Sequence, residues 1–222
     1  MTIQALSSSP SPAPVEPRLD HLVYATPNLA ATVTEFRAAT GLDPAPGGRH
    51  VGRGTRNLLV GLGPSSYLEI IGPDDELAPE PGQQMPFGIA DLEAPRLLTW
   101  AVHPVDLEAA VAASAGAGAD LGAIAAMGRD RPDGVRLAWR LATTYPAPFG
   151  GVTPFLIDWG TSPHPTAADL PNARLLSLRG MHPDPVAVSA VLDAIGVRLP
   201  VDAGPAGLVA VIDTPAGVVE LR

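Results

Sequence analysis

The stretch LDHLVYATPNLAATVTEFRAATG, residues 19–41, decides the fold, because it sets a strand directly against a helix. LDHLVYA (19–25) reads as a buried strand with a histidine inside it. NLAATVTEFRAAT (28–40) puts Leu29, Val33 and Phe36 on one helical face, with Asn28 as N-cap and Gly41 as the stop. Two more strands follow, TRNLLVGL (55–62) and SYLEIIG (66–72), joined by a Gly-Pro turn.

The same order returns downstream. RLLTWAVH (96–103) is a strand, DLEAAVAASAGAG (106–118) a helix capped by Asp106, and VRLAWRLAT (135–143) and PFLIDWG (154–160) are strands. A third, weaker copy runs through ARLLSLRG (173–180), the helix DPVAVSAVLDAIG (184–196), GLVAVID (207–213) and GVVELR (217–222). Repeats at this spacing outweigh element-by-element assignment. The expected fold class is therefore α+β, built from tandem modules that are each a small sheet with a helix on one face. The expected division is a disordered leader over 1–17, a first module over 18–72, a Pro- and acid-rich linker over 73–95, a second module over 96–160, and an incomplete third module over 173–222 packed on the others.

Composition limits the function. With 46% hydrophobic and 17% charged residues, the 222-residue chain can bury a proper core. A net charge of −9 argues against nucleic acid, which needs a broad basic surface. No apolar run is long enough to span a membrane, and the N-terminus lacks the pattern of a signal peptide. The chain contains no cysteine, which suits the cytoplasm. All fourteen basic residues are arginine, so Schiff-base catalysis and a phosphate-loop lysine are excluded. Neither a G-x-S-x-G nor an H-E-x-x-H motif occurs.

Chemistry concentrates in two places. Strand alternation puts Leu19, His21, Val23 and Ala25 on one face of 19–25, with Asp20, Leu22 and Tyr24 on the other; Tyr67, Glu69 and Ile71 share a face of 66–72. A carboxylate inside so apolar a strand must be paired or bound to something. His21 and Glu69 are therefore either a buried hydrogen-bonded pair or two ligands of a metal. The second place is GGRHVGRGTRN (47–57), where Arg49, Arg53 and Arg56 surround His50 on a glycine-rich backbone. Either this is a surface hairpin, or the glycines bring the backbone close to a ligand whose carboxylate or phosphate the arginines receive, with Asn57 beside them. His103, His164 and His182 each precede proline and read as turn punctuation. Trp100, Trp139 and Trp159 read as core or cavity wall.

LDHLVYATPNL, GGRHVGRGTRN and YLEI, in that order, resemble the glyoxalase-like branch of the vicinal oxygen chelate superfamily, and PFLIDWG and MHPDP extend the likeness loosely. The resemblance implies βαβββ modules paired into a curved mixed sheet around a central cavity, which holds a divalent metal or simply a ligand. It makes His21 and Glu69 metal-ligand positions. Opposite them the second module offers only Thr99, and Ile157 or Asp158, so the four-ligand set of glyoxalase I is not preserved. The third module offers Leu176 or Ser177, then Glu220. His50 becomes the candidate third ligand, giving a two-His, one-carboxylate set for Zn, Fe, Mn or Ni. Glu69 and His50 are then the catalytic candidates, and Arg49, Arg53, Arg56 and Asn57 the substrate-binding ones. The expected function is a lyase, isomerase or dioxygenase that chelates neighbouring oxygens of a small anionic substrate. The alternative is a metal-free protein that binds a small molecule or antibiotic. Open sheet edges would suit a homodimer.

Overall fold

The computed structural model describes residues 3–6, 16, 18–131 and 133–222. Its first element is a short strand, β1 (Ile3–Ala5). The first sequence unit then gives β2 (Leu19–Ala25), helix α1 (Leu29–Thr40), β3 (Ala45–His50), β4 (Thr55–Gly61) and β5 (Tyr67–Pro73). The second gives β6 (Arg96–Val102), α2 (Leu107–Gly116), β7 (Ala125–Asp130), β8 (Arg136–Ala142) and β9 (Phe155–Asp158). The helices start where the caps dictate: Asn28 accepts from the Ala31 N–H and Asp106 from the Ala109 N–H, while Gly41 leaves α1 in the left-handed conformation at φ 70°.

These eight strands close a barrel in the order β2-β5-β4-β3-β7-β8-β9-β6. Each unit supplies half, and the halves have the same plan: first strand parallel to last (β2–β5, β6–β9), the others antiparallel. Two antiparallel seams join them, β2–β6 and β3–β7. The curved sheet around a cavity is as expected. What periodicity did not flag is β3 and β7. Their sequences, APGGRH and AAMGRD, have no β-branched or aromatic residue and hence little propensity of their own. They are strands because neighbouring ladders hold them, with Arg49 opposite Asp130 and His50 opposite Arg129.

The third unit departs from the module plan. It forms β10 (Arg174–His182), α3 (Pro185–Ala194), β11 (Val201–Ala203), β12 (Gly207–Thr214) and β13 (Gly217–Leu221), in a separate sheet ordered β1-β13-β12-β10-β11. Here the first strand is antiparallel to β12 and parallel to β11, not to the last strand. The element order repeats but the sheet order does not, because β11 stays beside β10 as a plain βαβ crossover rather than reaching another module. Glu220 accordingly lies on β13 with Arg222, away from the barrel interior. The expected leader also needs correction at Ile3–Ala5, which pairs with Leu221, Glu220 and Val219. The rest of that leader, 1–2, 7–15 and 17, lies outside the described residues.

Two apolar cores result. The larger packs the outward faces of the barrel strands (Leu22, Tyr24, Leu68, Ile70) and the helices (Phe36, Leu107, Val188) against the second sheet (Leu208, Ala210, Ile212). Trp100 belongs to this outer core and donates to the Val152 carbonyl, so it is core and not cavity wall. The smaller core is the barrel interior: Val23, Ala25, Tyr67, Ile71, Trp139, Leu141, Phe155, Ile157 and Trp159. Among the described residues no helix is long and apolar enough to cross a membrane.

Candidate functional site

The barrel interior is not filled. A cavity of about 230 Å³ remains, with a polar wall and an apolar one. His21, Tyr67 and Glu69 line it from the first-unit strands, with His50 at the end of β3 and Arg129 reaching in from β7. Trp139, Leu141, Phe155, Ile157 and Trp159 face them from the second unit. Gln84 to Phe87 and Thr143 to Tyr145 border it further, the former from the segment after β5, which is more than a linker because it straps over the barrel end. The strap is seated by backbone bonds from Asp74 to the Gly54 carbonyl and from Glu80 to the Gly52 carbonyl.

Strand parity brings His21 and Glu69 to the interior, because β2 and β5 are parallel neighbours in register (His21 opposite Tyr67, Val23 opposite Glu69). His21 Nε2 lies 3.7 Å from one oxygen of Glu69, and His50 Nε2 lies 3.6 Å from the other. All three are buried. The outer nitrogen of each imidazole is anchored: His21 Nδ1 lies 2.6 Å from Asp20 Oδ1, and His50 Nδ1 lies 3.1 Å from the Thr55 hydroxyl. Tyr67 stacks on His21 with centroids 4.7 Å apart.

Asp20 was expected on the opposite face from His21. It is the extra residue of a bulge, since Leu19 pairs with Val102 and His21 with the adjacent Ala101. The bulge turns Leu19 into the outer core and Asp20 toward His21 and the Trp159 indole, whose N–H donates to it at 2.9 Å. Burial would raise the Asp20 pKa, but the His164 and His21 rings beside it outweigh that and hold it well below the usual carboxylate range. An ionised carboxylate only accepts, so His21 donates to it from Nδ1 and turns Nε2 toward Glu69. His164, read from the sequence as turn punctuation, thus stands 3.3 Å behind Asp20. His50 is held neutral, because burial lowers its pKa to about 4 despite the opposing pull of Glu69. Burial also pushes the Tyr67 hydroxyl well above its ordinary value.

The arginines divide differently from expectation. Arg49 pairs with Asp74 at 3.2 Å and with Glu76, and Arg56 pairs with Asp75 at 3.4 Å, all three contacts at the barrel exterior. Alternation along β3 and β4 turns these two away from the cavity, and the acidic strap is at hand to meet them. Of the three, only Arg53 lines the cavity, and no described carboxylate pairs with it. Asn57 does not border the cavity either. It donates to Glu69 Oε1 and accepts from Arg129 Nη1 at 3.1 Å, so it holds the carboxylate rather than a ligand. Gly47 makes this possible, because a Cβ there would collide with the Asn57 side chain and crowd Arg129. Arg129, 3% exposed, is the basic residue that sequence reasoning missed, hidden in a segment with no strand signal. On β9, Ile157 lines the cavity while Asp158 faces out to Arg140 at 2.7 Å, and Thr99 is buried without bordering the cavity.

In donor chemistry, two imidazole nitrogens and a carboxylate suit a divalent metal. In placement they do not. The histidines address different oxygens of Glu69, Asn57 already occupies one of those oxygens, and among the described residues no group of three or more His, Cys, Asp or Glu is arranged to hold an ion.

A family model described as a glyoxalase-like domain matches residues 19–196. No curated protein matches the chain. Among solved structures, a hypothetical protein from Staphylococcus aureus has a TM-score of 0.60 at 16% identity, covering 85% of this chain and 87% of its own. A methylmalonyl-CoA epimerase from Streptomyces coelicolor, in complex with 2-nitronate-propionyl-CoA, has a TM-score of 0.43 at 21% identity, over 68% of this chain and 100% of its own. The epimerase from Mycobacterium tuberculosis scores 0.38 at 19%, over 68% and 91%. At 16% identity, the likeness to the Staphylococcus aureus protein is one of fold alone.

Proposed function

The chain belongs to the glyoxalase-like domain family, and from that premise we propose that the barrel cavity is the active site of an enzyme acting on a small anionic molecule, with His21, Glu69 and His50 as its working centre. One observation carries the proposal: two imidazoles face a single buried carboxylate in a cavity, with their outer nitrogens anchored by Asp20 and Thr55. The arrangement as it stands supports proton transfer best. A proton leaving a carbon next to a carbonyl would pass to Glu69 or to Nε2 of His21, and the same group would return it to the same face or the other group would supply one to the opposite face. Arg129, acting through Asn57, keeps Glu69 oriented for this.

The chelate reading uses the same residues. His21, His50 and Glu69 would hold the ion, and it would polarise the oxygens of the substrate as a Lewis acid. It requires Glu69 to turn from Asn57. A metal-free binding protein is the third reading, favoured by the aromatic wall, where Trp139 and Trp159 lie 5.0 Å apart.

Metal analysis of protein purified without added metal, followed by titration with Zn, Mn, Ni and Fe(II), decides between the first two. Proton transfer by the side chains predicts under about a tenth of an equivalent and no stoichiometric uptake. A full equivalent that disappears in Glu69→Gln would replace it with the chelate reading. Loss of an α-hydrogen from small 2-oxo acids in D2O, followed by proton NMR and abolished in Glu69→Gln, would separate an enzyme from a binder.

A further inference from the structure

The cavity is bordered by two buried donors with nothing to donate to, Arg129 on its polar side and the indole edge of Trp139 facing it. Arg129 Nε and Trp139 Nε1 have no hydrogen-bond acceptor among the described residues, although both residues are more than nine-tenths buried and both line the cavity. An unpaired buried donor is destabilising, more so when it is charged, and such groups are normally satisfied by protein, water or ligand. Arg129 is also a buried guanidinium that, among the described residues, has no carboxylate in ion-pair range and bonds to the neutral Asn57. Arg53, whose side chain pairs with no carboxylate among the described residues, borders the same cavity. Against these cations the opposite wall is apolar and aromatic, with Phe87 tilted on Phe155 at 5.5 Å and Trp139 on Trp159 at 5.0 Å.

We infer that the natural ligand is a small amphipathic monocarboxylate, its carboxylate received by Arg129, Trp139 and Arg53 and its flat or branched apolar body lying on the aromatic wall. The inference rests on the cavity being the working site, and it names what that site takes. Charge favours one negative charge over two. Arg53 and Arg129 formally offset Glu69 and the neighbouring Asp20, so a dianion would bring twice the uncompensated charge of a monoanion into a poorly solvated space. Size favours a small body, because about 230 Å³ lies below the roughly 300–1,000 Å³ of sites for drug-sized ligands. Planar guanidinium donors match the two oxygens of a carboxylate.

The test is binding to the full chain by calorimetry and by tryptophan fluorescence, with four probes: 3-phenylpropanoate, 3-phenylpropanamide, acetate and phenyl phosphate. The acid should bind saturably and quench tryptophan emission, at least tenfold more tightly than the amide, acetate or phenyl phosphate. Arg129→Gln and Arg53→Gln should each weaken the acid by about tenfold to a hundredfold and leave the amide unchanged. Should Arg129→Gln fail to fold, Trp139→Phe removes one donor and keeps an aromatic ring, and it should narrow the gap between acid and amide. Equal affinity for acid and amide, or an acid affinity untouched by Arg53→Gln and Trp139→Phe, would overturn the inference. Tighter binding of phenyl phosphate would overturn its single charge. Repeating the measurement with a chelator present keeps the outcome separate from the metal question, and acid affinity is read whether or not His21, His50 and Glu69 catalyse anything.

Discussion

At the scale of the residue, the site is organised by partners behind the working groups. Asp20 orients the His21 ring, Thr55 holds His50, and Asn57 with Arg129 holds Glu69. His50 also leaves a signature in stability. Burial brings its pKa to about 4, against 6.5 for the ordinary imidazole. Between those values the unfolded chain binds a proton that the folded chain does not, so stability rises with pH across this window and is lost as pH falls from about 6.5 toward 4. The full difference corresponds to roughly 3 kcal/mol. Urea unfolding at pH 7, 6, 5 and 4.5 should show that loss, and His50→Gln should flatten it. Parallel losses in the two proteins would mean that burial of neutral His50 is not the cause. Asp20 shifts in the same sense at lower pH, but it is present in both proteins and cancels in the comparison.

At the scale of the element, the glycine-rich turn between β3 and β4 serves the strap that runs past the cavity. Gly54 has φ 64°, and a Cβ on it would strike the Pro79 ring and the backbone around Ala78. Gly52, at φ 69°, would meet only the mobile end of Glu80. Gly54→Val should therefore be the more damaging. It adds a left-handed conformation costing about 1–2 kcal/mol to a clash with backbone that cannot yield. The expected result is faster proteolysis within 74–95, with the barrel still folded, and a smaller effect from Gly52→Val. Equal protection of the strap in wild type and Gly54→Val would show that the turn does not seat it. The same logic explains why the arginines of this turn separate: Arg49 and Arg56 answer the acidic residues of the strap, and Arg53 is left to the cavity.

At the scale of the molecule, barrel and second sheet share one core. The Leu97 N–H donates to the Arg222 carbonyl at 2.7 Å, and the Ala173 N–H to Gly61 at 2.9 Å, so 173–222 is stitched to both halves of the barrel. Removing it would take Val188, Leu208, Ala210 and Ile212 out of the larger core and uncover β6, against which β12 packs. A chain ending at residue 172 should be insoluble or lack near-ultraviolet dichroism, and a soluble, cooperatively melting product would refute this. Closure also leaves the barrel without an edge. The edges of the second sheet, β1 and β11, are three residues each, which is short for pairing with another copy.

Short-range pattern in the amino-acid sequence was enough for the strong strands, the three capped helices, the doubled unit, and the inward placement of His21 and Glu69. Each depends on a period of two or 3.6 residues, or on a cap within three residues of a helix start, and such signals survive without any tertiary partner. The rest depended on pairs far apart in the chain. Arg129 meets Asn57 across 72 positions, and β3 and β7 exist as strands only because each lies against the other. The bulge that turns Asp20 to His21 arises from register with β6, and a one-residue change of register reverses every face after it. The fate of the three arginines followed from which acidic groups the folded strap brought within reach. The sequence by itself therefore determined the elements and one wall of the cavity. Tertiary structure decided the sheet order of the third unit, the residues that orient the working groups, and which positive charges face inward, because these are properties of contacts and not of periods.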